Sequence, residues 1–266
     1  MFLFIFGPMQ QQQPTLEEFV YHGERWFMPS LSLDCVIFGF HENQMKVLLL
    51  QMKTPEKWAL PGGFIYKEED IEQAASRVLK ERTGIDDIFL QQFHVFGDPK
   101  RSDKKYHLEW MKKDGYKVDK DNWMLQRFLT VGYYALVDFA HVTPVPDVNS
   151  ATCEWWDIHD VRELFMDHKH ILDKALETLR LQLNHQPIGY NLLPKKFTMP
   201  ELQKLYETIL DTKLDRRNFQ RRINGYGILK KLDETRKGGA HKAPYLYSFD
   251  LRKYKKALQE GLQGGW

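Results

Sequence analysis

Two stretches of the chain carry residue types at spacings that could do chemistry. The first is LPGGFIYKEEDIEQAASRVLKERTGI, residues 60–85. Side chains three and four apart share one face of a helix, and oxygen donors gathered on such a face suit a hard cation such as Mg²⁺. Here positions 78, 81 and 82 read Val, Glu and Arg. Valine has no oxygen to offer, and arginine carries a permanent positive charge and no acceptor. The lone Glu81 does not make a metal cluster. Glu68, Glu69 and Asp70 fall in the preceding loop or first turn, where carboxylates suit a helix N-terminus. Arg77 and Glu81 stand four apart and are expected to pair along the helix.

The second stretch is LDRRNFQRRI, residues 214–223. On a helix Phe219 and Ile223 stack on the core side. Arg217, Asn218, Arg221 and Arg222 then fall around the opposite face, while Arg216 lies nearer the core edge. Arginine and asparagine read guanine and adenine edges or clamp phosphates. Arg216 suits a phosphate contact.

Elements must position these groups. SLSLDCVIFGF and MKVLLLQM read as β-strands around the polar turn HENQ, a hairpin. A Gly pair, Gly62 and Gly63, marks a turn where backbone approaches a neighbour or ligand closely. Residues 70–83 read as a helix, with Gly84 as a left-handed C-terminal cap followed by the apolar Ile85. IFLQQFHVF, RFLTVGYYALVDF and CEWWDI are further strands, and ILDKALETLRLQL is an amphipathic helix. The charge-rich segment 97–126 between two strands reads as a long solvated loop. Downstream, Thr198 and Glu201 form a capping box with Pro200 in the first turn. Leu202, Leu205, Tyr206, Ile209 and Leu210 make one apolar face. Asp215 is the expected N-cap of the arginine helix. Two β-like runs, GILKKL and YLYSF, flank a Gly-Gly tip carrying Arg236, Lys237, His241 and Lys242, a basic hairpin wing.

Residues 63–85 resemble the Nudix box, G-x5-E-x7-R-E-U-x-E-E-x-G-U with U aliphatic. Gly63, Glu69, Arg77, Leu79, Glu81, Gly84 and Ile85 match; Val78 and Arg82 replace two glutamates. Nudix enzymes use those carboxylates to hold Mg²⁺ for hydrolysis of nucleoside diphosphate derivatives, so the resemblance implies a degenerate box, no catalytic residues and no metal site. Gly62, Gly63, Glu81 and Arg82 are then expected to border an effector pocket, with Arg82 facing an anion, a polyol hydroxyl or solvent. The combination of this box with PIGYNLLPKKFTMPELQKLYETIL and LDRRNFQRRI resembles the Nudix-related transcriptional regulators of bacteria over roughly residues 30–250. That resemblance implies an α/β (α+β) protein: a Nudix α/β/α sandwich with a mixed sheet, then a winged helix-turn-helix. It also implies a homodimer that binds double-stranded operator DNA and answers to a small-molecule effector, whether a pentose, a sugar phosphate or an ADP-ribose-like molecule. The expected function is a regulator, in the repressor sense, of sugar or nucleotide-related metabolism. The alternative is a Mg-dependent Nudix pyrophosphohydrolase, the one reading that needs a cofactor. An RNA-binding module is a third reading, since phosphate contacts alone do not separate DNA from RNA.

The expected organisation is an N-terminal extension (1–29), a Nudix-like domain (30–184), a linker (185–196), a winged helix (197–255) with Arg216, Arg217, Asn218, Arg221, Arg222, Arg236, Lys237 and Lys242 on DNA, and a tail (256–266). The formal net charge of +2 hides an asymmetry: from Pro194 onward stand 17 Lys and Arg against 8 Asp and Glu, and before it 21 against 28. A basic C-terminal part on an acidic body is a nucleic-acid signal. The two cysteines form no C-x-x-C pair and imply neither a disulfide framework nor a metal knot. A reducing cytoplasm is the expected compartment. No apolar run reaches the ~18 residues a membrane span needs. The opening MFLFIFGPMQQQQP lacks the basic region and cleavage site of a secretion signal.

Overall fold

The computed structural model describes residues 14–53, 56–85, 90–102, 104–183, 185–236 and 243–261. A mixed sheet of seven strands forms the body. Its strands are β1 (Phe27–His41), β2 (Gln44–Met52), β3 (Trp58–Ala59), β4 (Gly62–Tyr66), β5 (Leu90–Phe96), β6 (Leu129–Val137) and β7 (Ser150–Asp157). β1 and β6 run parallel at its centre, and the other pairings are antiparallel. Helices α1 (Leu16–His22), α2 (Ile71–Thr83), α3 (Lys104–Lys113) and α4 (His168–Gln182) accompany it.

Alternation along β1 sends its apolar side chains to both faces. Leu33, Cys35 and Ile37 pack with Ala74, Ala75, Val78 and Leu79 of α2. Val36 and Phe38 face the other way, toward Ile171, Leu172 and Ala175 of α4. The result is the expected α/β/α sandwich with a mixed sheet.

The remaining elements are β8 (Phe197–Thr198), α5 (Met199–Leu210), α6 (Arg216–Gly225), β9 (Leu229–Thr235), β10 (Tyr245–Phe249) and α7 (Leu251–Glu260). β8, β10 and β9 form a three-stranded sheet beside α5 and α6, a winged helix. Local chemistry sets its boundaries. Thr198 and Glu201 complete the capping box of α5, and the Asp215 side chain accepts from the Asn218 N–H at 2.9 Å to start α6.

Three expectations need correction. Segment 97–126 is not a solvated loop. It contains α3, and Met111, Trp123 and Met124 are buried in a separate aromatic cluster with Val20, Phe27 and Phe128. The Trp123 indole N–H donates to the Phe19 carbonyl at 2.8 Å, tying the segment to α1. The linker expected at 185–196 packs into the body, because Ile188, Leu192 and Leu193 are buried in a core that runs unbroken from α4 into α5 and α6. The boundary expected at 255 falls inside a helix, since α7 occupies Leu251–Glu260, anchored by its buried Tyr254, which donates to the Pro187 carbonyl at 2.8 Å. Among the described residues no helix is long and apolar enough to cross a membrane.

Candidate effector pocket and nucleic-acid interface

The box residues are placed by loop, cap and helix. Asp70 caps α2, and Gly84 ends it in the left-handed conformation at φ 73°. Arg77 reaches back over this turn. Its Nε donates to Glu69 Oε2 at 3.0 Å and its Nη2 to the Phe64 carbonyl at 2.9 Å. A second Glu69 oxygen completes a bidentate pair. The expected Arg77–Glu81 pair is present but longer, at 3.6 Å. Arg77 therefore staples the glycine loop more than it staples the helix.

That loop lies close to its neighbours. A Cβ on Gly63 would stand 2.9 Å from Val78 Cγ2, and one on Gly62 would stand 2.7 Å from Asp34 Oδ1. Val78 is fully buried among apolar side chains. Arg82 is buried too. Its Nη2 sits 3.6 Å from Glu81 Oε2 and 3.8 Å from Asp147 Oδ2, and its Nε has no hydrogen-bond partner among the described residues. A guanidinium thus stands between two carboxylates on the face where the Nudix pattern has metal ligands. This donor set does not fit Mg²⁺, because the cation position is filled by a protein cation and Val78 supplies no oxygen.

A cleft of about 200 Å³ opens beside the loop. Gly62 and Gly63 line it as expected, together with Asp34, Arg101, Phe128 and Phe165. Glu81 and Arg82 do not line it; Arg82 stands behind Asp147, which does. The cleft's polar wall is a buried cluster that the sequence reading missed. Arg101 Nε and Nη2 donate to the two oxygens of Asp167 at 2.9 and 3.1 Å, and Nη2 reaches Asp34 Oδ2 at 3.4 Å. The His168 Nδ1 accepts the Leu60 N–H at 2.9 Å. A neutral ring then carries its proton on Nε2, 3.7 Å from Asp34 Oδ1. One signal was visible: Asp34 is the only charge in SLSLDCVIFGF. Arg101 was hidden among the charges of the supposed loop.

A second, wider lobe of about 730 Å³ adjoins the first and shares Arg101, Phe165 and Met166 with it. Lys57, Lys100 and Arg101 are its cations, Asp98 and Asp167 also border it, His94 and His170 add ring nitrogens, and Tyr106 gives an aromatic wall. Aromatic walls with a few fixed polar groups and cations suit a ring-bearing anionic ligand. The buried thiols are no nucleophiles. Burial pushes the Cys153 thiol up to about 11, the nearby Arg82 charge only partly opposing it, and burial pushes Cys35 higher still.

On the winged helix, α6 presents the expected face. Phe219 and Ile223 are fully buried. Arg216, Arg217, Asn218 and Arg221 are exposed, and Arg222 is half-buried. Arg221 Nη2 donates to the Asn218 side chain at 3.1 Å, which orders that face. Arg236 is held elsewhere: its guanidinium pairs with Glu201 at 2.8 Å, at the start of α5. Lys237, His241 and Lys242 lie outside the described residues.

The fold and site define a class: a Nudix sandwich with an altered box, fused through a shared core to a winged helix. The NUDIX domain model matches residues 28–178, and the model of the NrtR DNA-binding winged helix domain matches residues 189–249. The chain is 32% identical over 234 residues to an ADPR responsive transcriptional repressor NtrR of Acinetobacter baylyi, covering 85% of this chain and 84% of that one. It is similar to Shewanella oneidensis NrtR complexed with a 27mer DNA, with 25% identity and TM-score 0.69 over 89% of this chain and 99% of that one. A MutT/nudix family protein from Enterococcus faecalis shares the fold, at 24% identity and TM-score 0.62 over 90% of this chain and 95% of that one. The chain belongs to the NrtR-type family, a Nudix domain followed by a DNA-binding winged helix.

Proposed function

We propose that the protein is an ADP-ribose-responsive repressor that senses its effector without cleaving it. The observation that carries this reading is Arg82, a protein cation between Glu81 and Asp147 on the box helix, behind the cleft wall that Asp147 forms. Support for the effector comes from the A. baylyi relative, described as ADPR responsive, and from the cleft's aromatic walls and cationic lobe. Those features favour a nucleotide-like anion over a free pentose, which has neither a base nor a charge. The NrtR–DNA complex of S. oneidensis and the exposed arginine face of α6 support operator binding. The functional form is a dimer in the cytoplasm, which calls for an operator of two related half-sites one or two helical turns apart.

One helix connects the two sites. Asp167 and His168, at the N-terminal end of α4, belong to the cleft's charge cluster. Near the other end of α4, Arg180 Nε donates to the Ile209 carbonyl in the last turn of α5 at 2.8 Å. A ligand that competes for Arg101 or Asp34 shifts the start of α4, and α4 carries the shift to the helix pair that holds α6. Couplings of this kind are typically ~1–3 kcal/mol.

The test is selection of operators from a random duplex pool, followed by gel shifts against ADP-ribose, ribose, arabinose and ribose 5-phosphate. ADP-ribose should release the DNA at concentrations where the pentoses and the sugar phosphate do not. Release by a pentose with no response to ADP-ribose would reverse the effector assignment. Turnover of ADP-ribose with Mg²⁺ that Glu81→Gln abolishes would restore the hydrolase alternative.

A further inference from the structure

We infer that α7 extends the DNA-binding surface, and that the groove between α6 and α7 takes the phosphodiester backbone next to the bases read by α6. The inference rests on the proposed DNA-binding reading and assigns a surface beyond the winged-helix match, which ends at residue 249 while α7 starts at Leu251. The two faces of α7 differ in kind. Tyr254 and Leu258 turn inward, with Lys255 at their edge, toward a cleft shared with Tyr134 and Tyr190. Lys253, Lys256 and Ala257 turn the other way, onto a groove of about 730 Å³ whose far wall is Arg221 and Arg222 of α6.

This groove is continuous with the arginine face of α6, so a duplex seated on that face runs its backbone alongside α7. Lys253 and Lys256 are exposed, as is Arg221. One carboxylate, Glu260, also borders the groove, 3.7 Å from Lys256 Nζ at the helix end. It leaves four cations against one anion along the walls. Gly225, the last residue of α6, and Gly227 just after it line the groove, and neither would have a heavy atom within 4 Å of an added Cβ, so the floor is open to a bulky group such as a phosphate. Tyr226 supplies a hydroxyl-bearing ring to the same floor. A dense row of cations with an open floor and no deep apolar pocket fits a phosphate chain better than a folded protein partner.

The test is fluorescence anisotropy of a labelled mixed-sequence duplex of about 30 base pairs, in KCl from about 50 to about 200 mM. Log affinity falls with log salt at a slope of about −0.9 for each phosphate neutralised. Lys253→Ala with Lys256→Ala should make the slope less steep by about 1.8 and weaken binding at least severalfold. Lys255→Ala removes the same charge as Lys253→Ala from the other face, so its slope should stay at the wild-type value while that of Lys253→Ala does not. The substituted lysines are exposed, and a Lys253→Gln, Lys256→Gln pair with unchanged circular dichroism guards against a folding artefact. A wild-type slope in both double variants overturns the inference while the DNA reading stands. No binding of wild type to any duplex overturns the DNA reading, and the inference with it. Tighter binding to a structured RNA hairpin than to the duplex, lost in the same variants, overturns the assignment to DNA.

Discussion

Replacing Arg101 with methionine removes a charge while keeping a long unbranched side chain, and it tests the buried cluster directly. The Arg101 side chain is 4% exposed and serves two carboxylates, Asp167 at 20% and Asp34 at 10% exposure. Removing one partner from a buried ion pair costs ~3–5 kcal/mol, because a charge is left without compensation. Water reaches Asp167, and its place at the start of α4 puts it in the favourable field of a helix N-terminus. Both effects move the expected loss to the lower end, about 3 kcal/mol. For a chain of this size that is a drop of roughly 6–12 °C in Tm, readable by calorimetry or by the urea midpoint at neutral pH. Adding Asp34→Asn and Asp167→Asn to Arg101→Met should recover a large part of the loss, since the uncompensated charges disappear. A single Arg101→Met variant within ~1 kcal/mol of wild type would refute the reasoning. It would mean that the cluster is solvated and that Arg101 is free to serve a ligand at little cost to the fold.

Three more outcomes follow from the geometry. Arg221→Ala should weaken binding to a selected operator by ~1–3 kcal/mol if it reads a base; equal weakening on every sequence would make it a phosphate contact instead. Wild-type protein should release no AMP or ribose 5-phosphate from ADP-ribose with Mg²⁺ or Mn²⁺, and sustained release measured by chromatography would contradict the metal misfit at Val78 and Arg82. Cys153 is held protonated by burial, up to about 11 from an ordinary 9.0. Its unfolded thiol ionises first as pH rises, so the folded state loses stability from about pH 9 toward about pH 11; a urea midpoint that is flat over that range in wild type, or equally sloped in Cys153→Ala, would show that the thiol is not responsible.

How much the sequence discloses depends on whether its signals are local. Caps are local: Thr198, Asp215 and Gly84 are each read from a few neighbouring residues, and each stands where expected. The Phe219/Ile223 stripe is equally local, and it fixes which face of α6 carries the arginines. The charge cluster is not local. Asp34, Arg101 and Asp167 come together across separations of 66 and 67 residues, and no periodicity in any one segment announces them. Segment 97–126 misleads because its charges outnumber its anchors. Yet Trp110, Met111, Tyr116, Trp123 and Met124 recur through it, and large apolar residues at that density in a supposed loop are a reason to expect a buried face. The same imbalance conceals the reach of α7, whose basic residues suggest a boundary at 255, although the helix runs on to Glu260.

Arg82 explains why such a box suits sensing better than slow catalysis. A Mg²⁺ site lined only by carboxylates depends on the metal to offset their mutual repulsion, so its geometry follows metal concentration. A guanidinium between Glu81 and Asp147 supplies that offset covalently and permanently. Asp147 lines the cleft while Arg82 lies behind it, so the wall that meets a ligand is set without a metal. Activation of water, the other service a metal provides, has no replacement at Val78. Under the proposed sensing role, the arrangement keeps the part of the box that shapes a binding surface and gives up the part that attacks phosphorus. In that proposal, binding energy that a hydrolase would direct to its transition state is available to shift α4, and through Arg180 and α5 to reach the helix proposed to face DNA.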